Sequence, residues 1–365
     1  LQSRGLGDVY KRQLILISHI IIKKFYGVSM KHAFKRLTAL IMIMVFTCIS
    51  LIGCTKQTHT NDIRKITLNE VAHSIFYAPQ YVAIEKGYFK DEGIDLTLVT
   101  GFGADKVMTA LISGDADIGF MGSEASVYIY TGGSSDYAVN FAQLTQRAGN
   151  FLVSRDNISN FKWSDVKGKT IIGGRAGGMP QMLLEYILKK NNIDCKKDVE
   201  IVQNIDFGST AAAFASGLGD FTVEFEPSAT AIESENKGYI AASLGVDSGY
   251  VPYTAYCAKK SFLKNNPEII QSFTNAIQKG LEFVNSHNSS EIAAVIAPQF
   301  KETDIQTLTK IVERYKSQDT WKNDTIFEES SFSLLTDILK QAGELDENVP
   351  YNKLVTTDFS KKAVK

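Results

Sequence analysis

From Ile66 to Phe225 short apolar runs of strand length alternate with segments whose apolar residues recur at helical spacing, and this alternation restricts the chain to an α/β fold. Strands are expected at 66–71, 95–100, 117–120, 138–144, 151–154, 169–173, 199–202 and 221–225. Helices are expected at 79–85, opened by Pro79 and stopped by Gly87, and at 105–112, stopped by Gly114. Further helices are expected from Ser123 to Ile129, at 180–190 and at 210–216, and from Glu268 onward the pattern is almost wholly helical. One stretch recurs. Ala110-Leu-Ile-Ser-Gly-Asp-Ala-Asp117 is matched by Phe214-Ala-Ser-Gly-Leu-Gly-Asp220, each a helix end, a Ser-Gly stop, two residues, Asp and an apolar strand. The match is short and chance is one account of it. Read as a repeat, it means two lobes of similar build, each presenting a strand end and a helix N-terminus at a common crevice, where ligands of open α/β sheets bind. Residues 65–152 and 253–365 are assigned to the first lobe and 153–252 to the second. Turn-rich segments at 155–167 and 245–252 lead into and out of the second lobe, and two crossings of this kind make a hinge.

The whole-chain charge, Lys+Arg 39 against Asp+Glu 40, gives no reason to expect nucleic acid as a partner. It averages two unlike regions, since the chain up to Gly53 is strongly basic and the remainder is acidic. Residues 1–29 read as an upstream or non-native extension. From Met30, a basic stretch (Lys31, His32, Lys35, Arg36) and an apolar stretch from Leu37 to Ile52 end in Leu51-Ile52-Gly53-Cys54, the layout of a secretory signal at 30–53. The Cys directly after a small residue resembles a bacterial lipobox, with Cys54 as the lipid anchor and 54–64 as a polar tether; a plain signal peptide or a short membrane anchor is the alternative. Cys195 and Cys257 then remain in the exported part and are expected as free buried thiols. The absence of CxxC and HExxH, with only His59, His73 and His287 in that part, argues against a zinc site, and no metal or other cofactor is expected. There is no P-loop, no GxGxxG and no GxSxG elbow.

Three segments carry a family resemblance. Ala78-Pro-Gln-Tyr-Val-Ala-Ile-Glu-Lys-Gly-Tyr-Phe-Lys-Asp-Glu-Gly93-Ile resembles the signature of the solute-binding proteins of the nitrate, sulfonate, taurine and thiamine-precursor family, which serve ABC importers. Leu111-Ile-Ser-Gly-Asp-Ala-Asp-Ile-Gly119 resembles that family's second signature, and Val166-Lys-Gly-Lys169 its entry to the second lobe. The similarity spans 65–345. It implies a two-lobed, type II periplasmic-binding-protein fold of mixed sheets flanked by helices, a ligand in the interlobe cleft, docking onto a permease with its ATPase, and a monomer held outside the cell membrane.

Candidate ligand contacts follow from placement. In the loop after the first strand, His73, Ser74, Phe76 and Tyr77 are candidates, with a packed turn and Phe76 in the core as the alternative; the resemblance favours Ser74 and Tyr77. Gly103 and Ala104 stand at a helix entrance, where backbone N–H groups can meet a ligand or simply be capped. Gly122, Ser123 and Glu124 form a strand-to-helix corner, where Ser123 can cap the helix and Glu124 can face a ligand or merely complement the helix dipole. Gln146 and Arg147 follow the last strand before the first crossing. Gly174, Arg175, Gly177 and Gly178 form a glycine-rich loop before Pro180, whose amides can approach a ligand closely. Glu224 and Glu226 alternate on a strand end and so face one side; a solvated rim pair is the alternative. Phe102, Phe120, Phe207, Phe225 and Tyr253 can offer stacking faces or belong to the core.

Three carboxylates among aromatic rings suit a neutral or amine-bearing heteroaromatic better than an anion, because an unpaired carboxylate repels an anion. Within the family this points to a thiamine-pyrimidine precursor captured by hinge closure. The alternatives are a sulfonate, taurine or nitrate binder of the same fold, or a relative acting as a biosynthetic enzyme for the thiamine pyrimidine or menaquinone. The export signal and the lack of a catalytic constellation favour a receptor that is not an enzyme.

Overall fold

The computed structural model describes residues 63–364. The expected extension at 1–29, the signal segment at 30–53 and the lipid anchor Cys54 with its tether to residue 62 lie outside the described residues. Arg64, expected in the tether, instead begins the first strand.

Ten strands run in chain order: β1 (Arg64–Glu70), β2 (Ile94–Thr100), β3 (Ile118–Gly122), β4 (Ala138–Gln143), β5 (Asn150–Ser154), β6 (Thr170–Ile172), β7 (Glu200–Val202), β8 (Phe221–Phe225), β9 (Tyr239–Ser243) and β10 (Thr254–Lys259). They form two five-stranded mixed sheets, ordered β2-β1-β3-β10-β4 and β7-β6-β8-β5-β9. In each, four strands run the same way and the fourth in the order runs antiparallel to both of its neighbours. That fourth strand always arrives from the other lobe: β5 is the first strand after the chain leaves sheet one, and β10 the first after it leaves sheet two. β3, β4 and β5 are buried along their whole length, the polar Asn140, Gln143, Asn150 and Ser154 included. β9 is exposed or half-buried throughout and, although Tyr239-Ile-Ala-Ala242 is apolar, it lies outside the expected strands.

The sequence repeat is a structural one. Asp117 and Asp220 each precede an inner parallel strand, and each makes the same pair of bonds. Thr67 N donates to Asp117 Oδ2 at 2.9 Å while Asp117 N donates to Thr67 O at 3.0 Å. Thr170 N donates to Asp220 Oδ2 at 2.9 Å while Asp220 N donates to Thr170 O at 2.8 Å. The carboxylate thus extends the ladder one residue beyond the first Cα pairs, Leu68 with Ile118 and Ile171 with Phe221. The preceding Gly114 and Gly217 both adopt positive φ, the conformation that ends a helix here.

Lobe one is completed by helices returning after β10. The longest, Pro267–Ser286, buries Ile270, Phe273, Ile277, Leu281 and Val284 at intervals of three and four. It packs on helix Ala78–Glu85, and Gly280 allows the approach, since a Cβ there would stand 2.2 Å from the Pro79 carbonyl oxygen. Helices Ser289–Ile296 and Ile305–Ser317 follow, and helix Glu329–Ala342 packs on helix Met179–Lys190 of the second lobe. The two crossings run side by side: Val251 N donates to Gln146 O at 2.8 Å, and Leu144 N to Thr254 O at 3.1 Å. Cys195 and Cys257 are free, the first half-buried and the second buried.

Candidate functional site

A cavity of about 500 Å³ lies between the lobes, within the size range of small-molecule sites. Lobe one supplies Val71 beyond β1, Tyr77 from the next turn, and Gly103, Ala104, Asp105 and Met108 at the start of helix Ala104–Ser113. Gly122 at the end of β3 and Glu124, Ala125, Tyr128 and Ile129 on helix Glu124–Thr131 form another wall. Tyr253 and Thr254 enter from the second crossing. Lobe two supplies Phe225 and the segment from Arg175 to Pro180, and Glu344 arrives from the turn after helix Glu329–Ala342.

Glu124 is the polar centre of this space. It is 2% exposed; among the described residues its Oε2 has no partner, and its Oε1 receives a long bond, 3.4 Å, from Met179 N across the cleft. Burial pushes its carboxyl up to about 8, opposed in part by the backbone donors at Glu124 and Met179. The Glu124 carboxyl group folds back over Gly122, where an added Cβ would lie 2.1 Å from Oε2 and push the side chain aside. Ser123 holds the N-cap position but makes no side-chain cap. Its hydroxyl donates to Pro252 O at 2.6 Å and so pins the corner to the second crossing.

The lobes meet over the cavity. Tyr128 donates its hydroxyl to Gly177 O at 2.8 Å, and Arg175 Nη1 lies 2.8 Å from Asp105 Oδ1. Although partial burial opposes the shift, the guanidinium holds the Asp105 carboxyl below the usual range. The glycine-rich loop does not offer its amides as expected. Gly177 N donates to Gln181 Oε1 at 3.0 Å and Gly178 N to Arg175 O at 3.2 Å, within the loop itself. Gly174 does not line the cavity; its φ of +88° turns the chain.

Of the residues singled out by sequence, Tyr77, Gly103, Gly122, Glu124, Arg175, Gly177, Gly178 and Tyr253 are brought together around the cavity. Others are engaged elsewhere. Ser74 caps the turn Ile75–Tyr77 and donates its hydroxyl to Glu226 O at 2.6 Å. Phe76 is fully buried among Tyr77, Phe225, Tyr253 and Tyr315. Gln146 donates to the Asp319 and Trp321 carbonyls, and Arg147 donates to Gly245 O while lying 4.0 Å over the Tyr250 ring. Glu224 and Glu226 are not open to the crevice: Glu224 is bonded to Thr210 at the start of helix Thr210–Ala215, and Glu226, just past the end of β8, to Thr230 in helix Ser228–Ser234. Glu224 accepts from Thr222 and Thr210, and burial pushes it up to about 7. Glu226 accepts from Thr230 N and Oγ1, both at 2.9 Å, and pairs with Arg314; burial raises it and Arg314 restrains the rise. His73 is bonded to Glu70 and to Gln299 O, Phe120 stacks on Tyr256, and Phe102 is exposed.

Tyr128 and Glu344 were not foreseen. Tyr128 lies four residues after Glu124 and Ile129 four after Ala125, so the face of that helix could have been extended from Glu124. Glu344 carries no local signal, since it reaches the cavity from the far end of the chain.

The fold and the interlobe cavity are those of a periplasmic-binding-protein type receptor. Residues 75–290 match the family described as NMT1/THI5 like, and the chain belongs to it. It is 45% identical over 318 residues, 87% of this chain and 94% of the other, to YtlA of Bacillus subtilis (strain 168), named a binding protein by inference. It is 23% identical over 220 residues, 57% of this chain and 63% of the other, to the 4-amino-5-hydroxymethyl-2-methylpyrimidine phosphate synthase of Aspergillus parasiticus. Among solved structures, the periplasmic nitrate-binding protein NrtA of Synechocystis PCC 6803 superposes with a TM-score of 0.70 at 15% identity, covering 83% of this chain and 89% of that one.

Proposed function

We propose that the protein is the solute-binding component of an ABC importer, capturing a small organic nutrient between its lobes and presenting it to a permease and its ATPase. The observation that carries this reading is the interlobe cavity, walled by both lobes and bridged by Tyr128 with Gly177 and by Arg175 with Asp105. Capture is a rotation of the second sheet and its helices against the first about the paired crossings at 144–149 and 244–253. The binding residues are Tyr77, Glu124, Tyr128, Phe225 and Tyr253, with Gly103, Gly122, Arg175, Gly177 and Gly178 shaping the walls. A monomer is tethered outside the membrane through lipid on Cys54 after removal of 30–53; Cys54→Ala is then released from membranes. Native mass spectrometry of the freshly purified chain is expected to find one co-purified small molecule, and single-molecule FRET to find compaction when it is added back. A rigid envelope with ligand bound would refute the reading.

Aromatic walls around one buried carboxyl group favour a heteroaromatic bearing a nitrogen donor, such as a thiamine-pyrimidine precursor. A nitrate or sulfonate would meet an unpartnered carboxyl and a guanidinium already given to Asp105. The enzyme reading draws on the synthase-named relative from Aspergillus parasiticus. Recovery of an added aminopyrimidine unchanged after prolonged incubation separates receptor from enzyme.

A further inference from the structure

We propose that closing the lobes over Glu124 requires one positive charge in the cavity, a proton when the cavity is empty and a cationic solute when it is loaded. This rests on the binding reading above and adds the solute's charge and the control of empty closure. The geometry comes first. Glu124 stands on lobe one, yet its side chain is sealed by lobe two: Met179 N reaches its Oε1, and the loop from Arg175 to Pro180 covers it. Separating the lobes returns the carboxylate to water, where it ionises as an ordinary glutamate. Closing them strips that water while leaving Oε2 without a partner.

The surroundings offer no compensating charge. Helix Ala104–Ser113 presents Asp105, the loop of lobe two presents Arg175, and these two are bonded to each other at 2.8 Å. The C-terminal turn presents Glu344, a second acid. The facing phenols Tyr77, Tyr128 and Tyr253 are all held neutral, above their ordinary value, chiefly by burial, with Glu124 adding to the rise in each. A buried anion so placed is neutralised or paired. In the closed empty protein the carboxyl therefore carries a proton, consistent with its rise to about 8. A solute with a protonated ring nitrogen or an amidinium group supplies the same charge and adds donors that Oε2 can accept.

The sign follows from linkage. A carboxyl whose value is higher closed than open favours closure at low pH, and the closed fraction of the empty protein falls roughly tenfold per pH unit between the two values. At neutral and alkaline pH empty closure is suppressed, so the closed surface forms when a cation is bound and the permease meets few empty receptors. A neutral or anionic solute does not have this effect.

The test uses the full chain with one dye on each lobe and single-molecule FRET, without ligand, from about pH 5 to about pH 9. The closed population is expected to fall about tenfold per pH unit through neutrality, and Glu124→Gln, which is neutral and nearly isosteric, to remain closed without that slope. Glu226, the other buried interlobe acid, has Arg314 as its partner, and Glu124→Gln leaves that pair in place, so the slope is attributable to Glu124. Benzamidinium as a probe cation is expected to restore closure of the wild-type chain at about pH 8, with benzamide, its uncharged isostere, having no effect. A flat closed population, an equal slope in Glu124→Gln, failure of benzamidinium to restore closure, or closure driven by ethanesulfonate at that pH overturns the proposal. Closure by ethanesulfonate would leave the importer reading standing, whereas absence of closure with any co-purified solute would sink that reading instead.

Discussion

Replacing Arg314 by Met should destabilise the protein in a strongly pH-dependent way. Glu226 belongs to lobe two and is 1% exposed; Arg314 comes from helix Ile305–Ser317 of lobe one and is its cationic partner. Met keeps much of the side-chain volume, which lies over the Phe151 ring, and removes the charge. Glu226 then retains Thr230 N and Oγ1 as donors, and its ionised form is left buried without a counter-charge. Its folded-state value is already raised by burial, so the stability linked to its neutral form is full below the unfolded value and is lost as pH rises toward the folded one. Removing Arg314 raises the folded value further and extends that loss upward in pH. Each unit is worth about 1.4 kcal/mol, so between about pH 4.5 and about pH 7 the gap between variant and wild type opens by at most about 3 kcal/mol. That agrees with the roughly 3–5 kcal/mol expected for breaking a buried pair from one side. A pH-independent loss of about 1 kcal/mol for altered packing is added at every pH. Urea unfolding at the two pH values reads the difference directly. Glu226→Gln in the Arg314→Met background removes the stranded charge and should recover most of the loss at neutral pH. Equal destabilisation at both pH values, or no recovery in the double variant, refutes the reasoning.

The repeat predicts matched costs: Asp117→Ala and Asp220→Ala should each cost about 1–2 kcal/mol, since each leaves a strand N–H, Thr67 or Thr170, without its carboxylate acceptor. Being in different lobes, their effects should add within about 0.5 kcal/mol in the double variant, measured by chemical unfolding. Gly149→Ala should destabilise by about 1–3 kcal/mol, read as a lowered thermal midpoint, because its Cβ would stand 2.4 Å from the Phe76 ring. Burial pushes the Cys257 thiol up to about 12 and the Cys195 thiol up to about 11, so at mildly alkaline pH iodoacetamide should modify Cys195 slowly and Cys257 only on unfolding. Fast labelling of Cys257 in the native protein would contradict its placement.

What the sequence makes legible is what short-range chemistry dictates. Glycine stops, Pro at first turns and apolar runs give element positions within a residue or two, and the Ser-Gly-x-x-Asp stretch reveals the two lobes because its helix stop and strand entry are local, although the Asp itself bonds an amide 50 residues away in each copy. The strand-to-helix corner at Gly122, Ser123 and Glu124 is visible for the same reason. Ligand candidacy of Glu224 and Glu226 rested on alternation, which is silent about what covers a side chain. Ser74, Gln146 and Arg147 stand close to the crossings, where backbone carbonyls from residues 98 to 175 positions away claim their polar atoms. Such partners leave no trace in a local pattern. Glu344 is the converse case, a cavity residue supplied by a contact equally remote in sequence.

The exchange of central strands explains why a cavity at this place can govern the whole molecule. β10 lies between β3 and β4, and β5 between β8 and β9, so each crossing runs from an edge strand of one sheet, β4 or β9, into an interior strand of the other. Any rotation of one lobe against the other must therefore be absorbed in residues 144–149 and 244–253. Those segments are pressed together: a Cβ on Gly245 would stand 2.2 Å from the Ala148 carbonyl oxygen, and Thr145 Oγ1 and Thr254 Oγ1 are 2.6 Å apart. The pair can turn together but cannot slide independently. Tyr253, which lines the cavity, stands at the end of one crossing and donates its hydroxyl to Asn150 Oδ1 at the end of the other, at 2.6 Å. A solute packed on Tyr253 thus bears on both crossings at once, and Ser123, which bonds Pro252 O, ties the Glu124 helix to the same point. Ser123 and Tyr253 thus tie the Glu124 helix and the cavity wall directly to the crossings.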